Sequence, residues 1–185
     1  MQKPRVPTLA IPVIETERLR LRGHDVRDLA SCAAMWGDPV VTRFIGGKPS
    51  TREEAWARLL RYAGLWALLG YGYWAVEEKA GGGFVGDVGF ADFKRDIQPS
   101  LEDAPEIGWV LSPRIHGRGY ATEAVAAVLA WGDARFGAGP TACIIDPENL
   151  ASINVAKKSG FKEFAHTTYK GEPTIMYRRE AATTR

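Results

Sequence analysis

The chain has 185 residues, is 45% hydrophobic and 25% charged, and carries a formal net charge of +2, the balance of a single folded domain with its own core. No run of Lys or Arg is dense enough for a nucleic-acid groove or an anionic membrane surface, so neither partner is expected. The opening MQKPRVPTLAIPVIE is broken by Pro4, Pro7 and Pro12, which suits neither a signal peptide nor a membrane span and leads to the expectation of a cytoplasmic protein.

The predicted organisation is an N-terminal extension (1–14), one domain (15–178) and a short tail (179–185), with both ends expected to be floppy. Alternation in Arg18-Leu19-Arg20-Leu21-Arg22 predicts a first strand with one wet face. Asp25 then caps a helix whose inward stripe is Leu29, Cys32, Ala33 and Trp36, ending at Gly37-Asp38-Pro39. Pro49-Ser50-Thr51-Arg52-Glu53-Glu54 holds two overlapping capping boxes for a second helix, with Trp56, Leu59, Leu60, Ala63 and Ala67 inward.

From Tyr71 the pattern shortens. Tyr73-Trp74-Ala75-Val76, a Gly81-Gly82-Gly83 turn and Phe84 to Phe90 read as a hairpin. A polar link from Lys94 to Pro105 leads to the strand Glu106-Ile107-Gly108-Trp109-Val110-Leu111, which Pro113 cannot continue for want of an N–H. A long helix carries Ala121, Ala124, Val125, Val128, Leu129 and Gly132 on one face and stops at Gly137. Thr141–Ile145 is a short strand, Ser152–Ser159 a short helix, and Phe161–Tyr177 a closing hairpin. The order βααβββαβαββ predicts an α/β fold around a mixed sheet.

Arg114-Ile115-His116-Gly117-Arg118-Gly119-Tyr120-Ala121-Thr122 puts two glycines where strand becomes helix. Backbone N–H groups converge there at the positive end of the helix, which suits an anion such as a phosphate. Thr122 offers a hydroxyl, and Arg114 and Arg118 offer charge-assisted bonds. Plain turn geometry is the alternative reading of the glycines. A Walker loop is excluded because no Gly-Lys is followed by Ser or Thr. A dinucleotide fingerprint has Asp146 in its favour, but Thr122 takes the third glycine position and too few strand–helix units follow.

This stretch resembles the acyl-CoA-binding motif of the GNAT acetyltransferases, Arg/Gln-x-x-Gly-x-Gly/Ala, as Arg114-x-x-Gly117-x-Gly119. Glu17 to Arg22, Gly37-Asp38-Pro39-Val40, Pro49 to Ala55, and Asn149 to Phe161 with its Asn-x-x-Ser helix and Gly-Phe are similar to the RimJ/RimL branch, which acetylates ribosomal-protein N-termini and has many relatives acting on other amines. The resemblance spans Glu15 to Tyr177. It implies a mostly antiparallel central sheet of about seven strands flanked by about four helices.

It also implies a mechanism: an N-acetyltransferase in which acetyl-CoA and a primary amine meet in a ternary complex. The pantetheine arm adds to the strand Glu106–Leu111 through backbone groups of Trp109, Val110 and Leu111, one of which polarises the thioester carbonyl. The turn, with Tyr120 and Ala121 opening the helix, holds the pyrophosphate. Glu106 is the implied base, with Glu102 and Asp103 behind it and a solvated strand-end carboxylate as the alternative. Gly108 leaves room for the acceptor.

The tyrosine that many members use as acid is absent, and Ser152 takes its place unless it is only a helix cap. Asn149 is assigned to the arm and Asn154 to polar parts of the cofactor. The acceptor, a small molecule or a peptide N-terminus, is expected near the first helices, where Trp36, Phe44, Trp66, Tyr71 and Trp74 either line it or belong to the core. The three histidines show no ligand spacing, so no metal is expected; His24 and His166 read as surface residues. Cys32 and Cys143 read as buried free thiols. A monomer or a homodimer fits equally. The competing functional class is an acyl-CoA-binding regulatory module without turnover.

Overall fold

The structure is a computed structural model that describes residues 10–137 and 139–181. Its centre is an eight-stranded sheet in the order β1-β2-β3-β4-β5-β6-β8-β7. The strands are β1 (Ile14–Glu15), β2 (Leu19–Arg22), β3 (Tyr73–Glu78), β4 (Gly83–Ala91), β5 (Glu106–Leu111), β6 (Thr141–Ile145), β7 (Lys162–Tyr169) and β8 (Glu172–Arg179). The helices are α1 (Leu29–Trp36), α2 (Pro39–Thr42), α3 (Arg52–Leu69), α4 (Tyr120–Phe136) and α5 (Leu150–Lys158). Each adjacent pair of strands is antiparallel except β5 and β6, which run parallel and share one register pair, Glu106 with Ala142.

Local chemistry explains most of these elements. Leu19 and Leu21 are fully buried while Arg20 between them is exposed, as a half-wet strand requires. Of the two capping boxes before α3, the chain uses Thr51 with Glu54: the Thr51 hydroxyl accepts from Glu54 N–H and the Glu54 carboxylate from Thr51 N–H. Asp25 caps a 3-10 turn, Val26–Asp28, that runs into α1. α4 lies against β2, β4 and β5, and α1 packs on α3. The core holds an aromatic knot in which Trp131 of α4 meets Trp66 and Trp74 edge-on. Trp66 and Trp74 are therefore core residues, and Tyr71 packs edge-on against Phe136.

Several expectations are corrected. β1 and α2 are too short for periodicity to reveal; α2 depends on Asp38, whose side chain accepts from Val40 N–H. Ile11, Pro12 and Ile14 belong to the domain, because Trp74 Nε1 donates to the Pro12 carbonyl at 2.7 Å and Ile11 and Ile14 pack on the core. Strand β8 continues one residue past 178. The rest of the two ends expected to be floppy, 1–9 and 182–185, lies outside the described residues. The polar link 94–105 is fastened down by Ile97, Leu101 and Ala104, buried against Ala142 and Met176.

His24 is not a surface residue. Its side chain is 2% exposed and its Nε2 lies 2.8 Å from the Asp87 carboxylate, whose other oxygen accepts from Trp36 Nε1 at 3.0 Å. Cys32 joins His24 and Asp87 in a group whose potential ligand atoms lie within 4.8 Å of one another, a grouping that positions 24, 32 and 87 do not announce in sequence. Both Asp87 oxygens are engaged in this ring of bonds, which ties α1 to β4, and burial pushes the Cys32 thiol up. Both cysteines are buried and free, and the His166 side chain is exposed. Among the described residues no helix is long and apolar enough to cross a membrane.

Candidate active site

The site forms where β5 and β6 part. Ala142 N–H donates to the Pro105 carbonyl and Ser112 N–H to the Val85 carbonyl. Backbone groups alternate along a strand, so Ile107, Trp109 and Leu111 turn theirs toward the β6 side while Gly108 and Val110 face β4. Beyond Glu106 no β6 residue is in register to receive the outward-facing groups. β5 therefore offers an open edge at Trp109. Val110 loses the backbone role assigned to it and contributes its side chain to the cavity wall instead. The Leu111 carbonyl is already paired with the His116 ring at 2.9 Å, so His116 acts through its ring as well as its backbone.

The edge leads to a bare helix end. Gly117 and Gly119 have φ of 73° and 79°, a region that other residues enter only with strain, and open space surrounds Gly117. Gly119 is the N-cap of α4 without a side chain to cap it, and the first backbone bond of the helix comes from Glu123. The N–H groups of Tyr120, Ala121 and Thr122 are thus presented with the helix dipole behind them.

Glu123 accepts from Thr16 Oγ1, Arg18 N–H and Arg18 Nε, which fastens this helix end to the start of β2. The side chains of Arg114 and Arg118 reach Glu78, each at 3.5 Å, and the Tyr120 ring is buried with its hydroxyl donating to Glu78. Tyr120 therefore offers its backbone alone.

A cavity of about 690 Å³ opens from the splay toward α1, the α2–α3 loop, α3 and the β7–β8 turn. Glu106 lines it, 7% exposed, held by Arg95 through Nε–Oε2 and Nη2–Oε1 contacts of 2.6 and 2.7 Å. Burial works against the Arg95 charge, but the hydrogen bonds it donates to Glu106 outweigh it and raise the guanidinium above its ordinary value. Arg95 also lies over the Phe93 and Tyr169 rings. Glu106 is thus neither the solvated strand-end carboxylate nor an unencumbered base. Sequence reasoning missed Arg95, which sits eleven residues away in a link with no periodic pattern.

The space above Gly108 is filled by the Tyr73 hydroxyl, the nearest atom to any side chain placed there. This glycine makes room for Tyr73 before it makes room for an acceptor. Tyr73 stacks on Tyr62, and burial raises the pKa of both hydroxyls, so each is a neutral donor. Glu102 and Asp103 do not line the cavity; Asp103 pairs with Arg178 instead. Of the five candidate aromatics, Trp36 and Phe44 do line it, joined by Phe93, Tyr62 and Tyr73.

At the β6 end, Asn149 and Ser152 both face the cavity. The N-cap of α5 is Asn149, whose Oδ1 accepts from Ser152 N–H at 3.1 Å. Ser152 therefore sits inside the first turn and is not the cap; among the described residues its hydroxyl has no hydrogen-bond partner. Asn154 is exposed and outside the cavity, two residues and about 200° further round the helix.

Residues 18–162 match the family model described as an acetyltransferase (GNAT) domain. The protein YkkB of Bacillus subtilis, itself uncharacterised, is 33% identical over 171 residues, covering 90% of this chain and 94% of its own. A structure assigned to the GnaT acetyltransferase family, from Bordetella pertussis, superposes with a TM-score of 0.80 at 27% identity, over 91% of this chain and 99% of its own. RimL, a ribosomal L7/L12 α-N-protein acetyltransferase solved with coenzyme A, shares the fold with a TM-score of 0.72 at 19% identity, over 91% of this chain and 98% of its own. The chain belongs to the GNAT acetyltransferase family and is an acyltransferase.

Proposed function

We propose that this protein is an N-acetyltransferase that transfers the acetyl group of acetyl-CoA to a primary amine by direct attack within a ternary complex. One observation carries the reading: an open strand edge at Trp109 runs into an uncapped helix N-terminus at Tyr120–Thr122, and a cavity large enough for an acceptor opens beside it. The residues suit that co-substrate. The bare amides and the glycine turn accept phosphate oxygens, and the open β5 edge accepts an extended amide-bearing arm. Arg114 and Arg118 side chains are about half exposed, so their contacts with Glu78 are weak and readily exchanged for phosphate.

Acetyl-CoA supplies an acetyl group activated as a thioester. The outward N–H of Trp109 is placed to polarise a carbonyl docked on the strand. Ser152 offers a free hydroxyl for a departing sulfur, a light duty because a thiol has a pKa near ~8.5. Glu106, held in place by Arg95, accepts a hydrogen bond from the acceptor ammonium and passes the proton to water. An α-amino group with a pKa of about 7.7–8.0 already has a neutral fraction at pH 7, so little basicity is demanded of the protein.

The test is thiol release from acetyl-CoA against peptides, amino acids, polyamines and aminoglycosides. Turnover with any of them supports the enzyme; tight binding of acetyl-CoA with no release across the panel supports the regulatory module. Glu106→Gln is expected to lower kcat/KM by at least about tenfold. Full activity with an unchanged pH–rate profile removes Glu106 from the mechanism.

A further inference from the structure

We infer that the acceptor amine carries a carboxylate, and that Arg58 of α3 is the group that receives it. The inference rests on the acetyltransferase reading and names the substrate class of that same cavity. Five cationic side chains line the cavity, Arg43, Arg58, Arg61, Arg95 and Lys170, against three carboxylates, Glu106, Asp146 and Glu172. Glu106 and Arg95 pair with each other and so add no net charge. One oxygen of Asp146 accepts from Glu148 N–H beside α5, at the far end from α3. Arg43, Arg58 and Arg61 form no ion pair among the described residues.

Arg58 is the decisive member of the group. It is half-buried, its guanidinium lies 3.6 Å from the Trp36 ring centroid, and its Nε is buried without a hydrogen-bond partner. A buried donor of this kind costs stability unless something satisfies it. Close contact with the Trp36 ring restrains the guanidinium, whose planar fork of donors matches the two oxygens of a carboxylate. Of the carboxylates around it, Asp87 is fully buried and already engaged by His24 and Trp36, and Glu54, one turn back on α3, accepts from Thr51 N–H and makes no ion pair with Arg58. One turn further along α3 is Arg61, over the Phe93 ring, while Arg43 beyond Phe44 extends the positive field to the mouth.

At β5 the Glu106 carboxylate, beside its bonds with Arg95, can accept a hydrogen bond from an ammonium. An acceptor bearing both charges is thereby oriented with its amine toward the strand edge and its acid toward α3. Neutral polyamines become polycations in water, and a cationic wall disfavours them.

Calorimetry on protein saturated with desulfo-CoA, which cannot react, tests the inference with matched probes. L-phenylalanine reports on an α-carboxylate, L-phenylalaninamide on its loss, and L-aspartic acid α-amide on a side-chain carboxylate with the α-carboxylate blocked. At least one acid is expected to bind tenfold or more tightly than the matched neutral amide, as charge-assisted recognition requires. Arg58→Gln is expected to abolish that difference while leaving desulfo-CoA affinity unchanged, which also shows that the variant folds. Arg61→Gln, at the surface, is expected to narrow it. The inference is overturned if no acid binds more tightly than its amide, or if Arg58→Gln keeps the preference. Failure of desulfo-CoA to bind sinks the acetyltransferase reading instead, and the acid–amide comparison is then read on the free protein.

Discussion

Replacing Arg95 with Met isolates the ion pair at the centre of the site. The substitution keeps a stem to pack on Phe93 and Tyr169 and removes both hydrogen bonds to Glu106. Glu106 is 7% exposed and the Arg95 side chain 19%, so solvent screens the stranded carboxylate only weakly. Removing one partner of a buried pair costs about 3–5 kcal/mol, and the residual exposure of Arg95 places this case near the lower end, about 3 kcal/mol. A buried carboxyl without a counter-charge takes up a proton more readily when folded than when unfolded. The variant's stability should therefore fall as pH rises, and its deficit should be larger at pH 8 than near pH 5.

Urea unfolding at both pH values measures this, and Arg95→Met combined with Glu106→Gln should recover most of the loss because no lone charge remains. A single variant within about 0.5 kcal/mol of wild type at pH 8 refutes the reasoning, since that is the range of an ordinary surface substitution. So does a double variant no more stable than the single one.

Three further outcomes follow from the structure. Burial pushes the Asp28 carboxyl up, but the Arg22 hydrogen bonds and the Asp25 N–H pull it further down, below its ordinary value. Its stabilising effect is therefore complete above the unfolded pKa of about 3.9 and lost as pH falls through the folded one; Asp28→Asn should flatten the acid limb of a stability–pH curve. Gly119→Ala, at φ 79°, should destabilise by about 1 kcal/mol in a thermal melt and weaken acetyl-CoA binding several-fold, the strain being forced on the helix end that meets the phosphates. Asn149→Ala should cost about 1 kcal/mol through the lost cap of α5, with the unfolding midpoint as its measure; if stability is unchanged, the cap assignment fails.

Legibility differed from element to element for physical reasons. The start of α3 and both ends of α4 could be read because their signals are local, a capping box at Thr51 and Glu54 and a Gly137 of positive φ. The inward face of α3 was misread: Ala55, Leu59, Tyr62 and Trp66 are buried, while Leu60, Ala63 and Ala67 of the expected stripe are exposed. β1, α2 and the true start of α5 escaped because two to four residues hold no period, and because Asn149 and Ser152 are both plausible caps until the bond between them is seen. His24 was misread for want of Asp87, and Asn154 because a motif does not say which face of the helix meets the cavity.

The sequence by itself determined the order of the longer elements, the strand ending before Pro113 and the glycine turn with its helix start, since each depends on residues within about one turn of each other. Family membership was legible there as well, from Arg114, Gly117 and Gly119 read with the segments on either side. Only the tertiary structure decided what the site's charges do. Arg95 pairs with Glu106, Tyr73 occupies the space over Gly108, and Arg58 is left with a buried Nε that has no hydrogen-bond partner. These facts join α3, β3, β5 and an irregular link, and a pairing between distant segments is set by how the sheet brings them together, which no local pattern records.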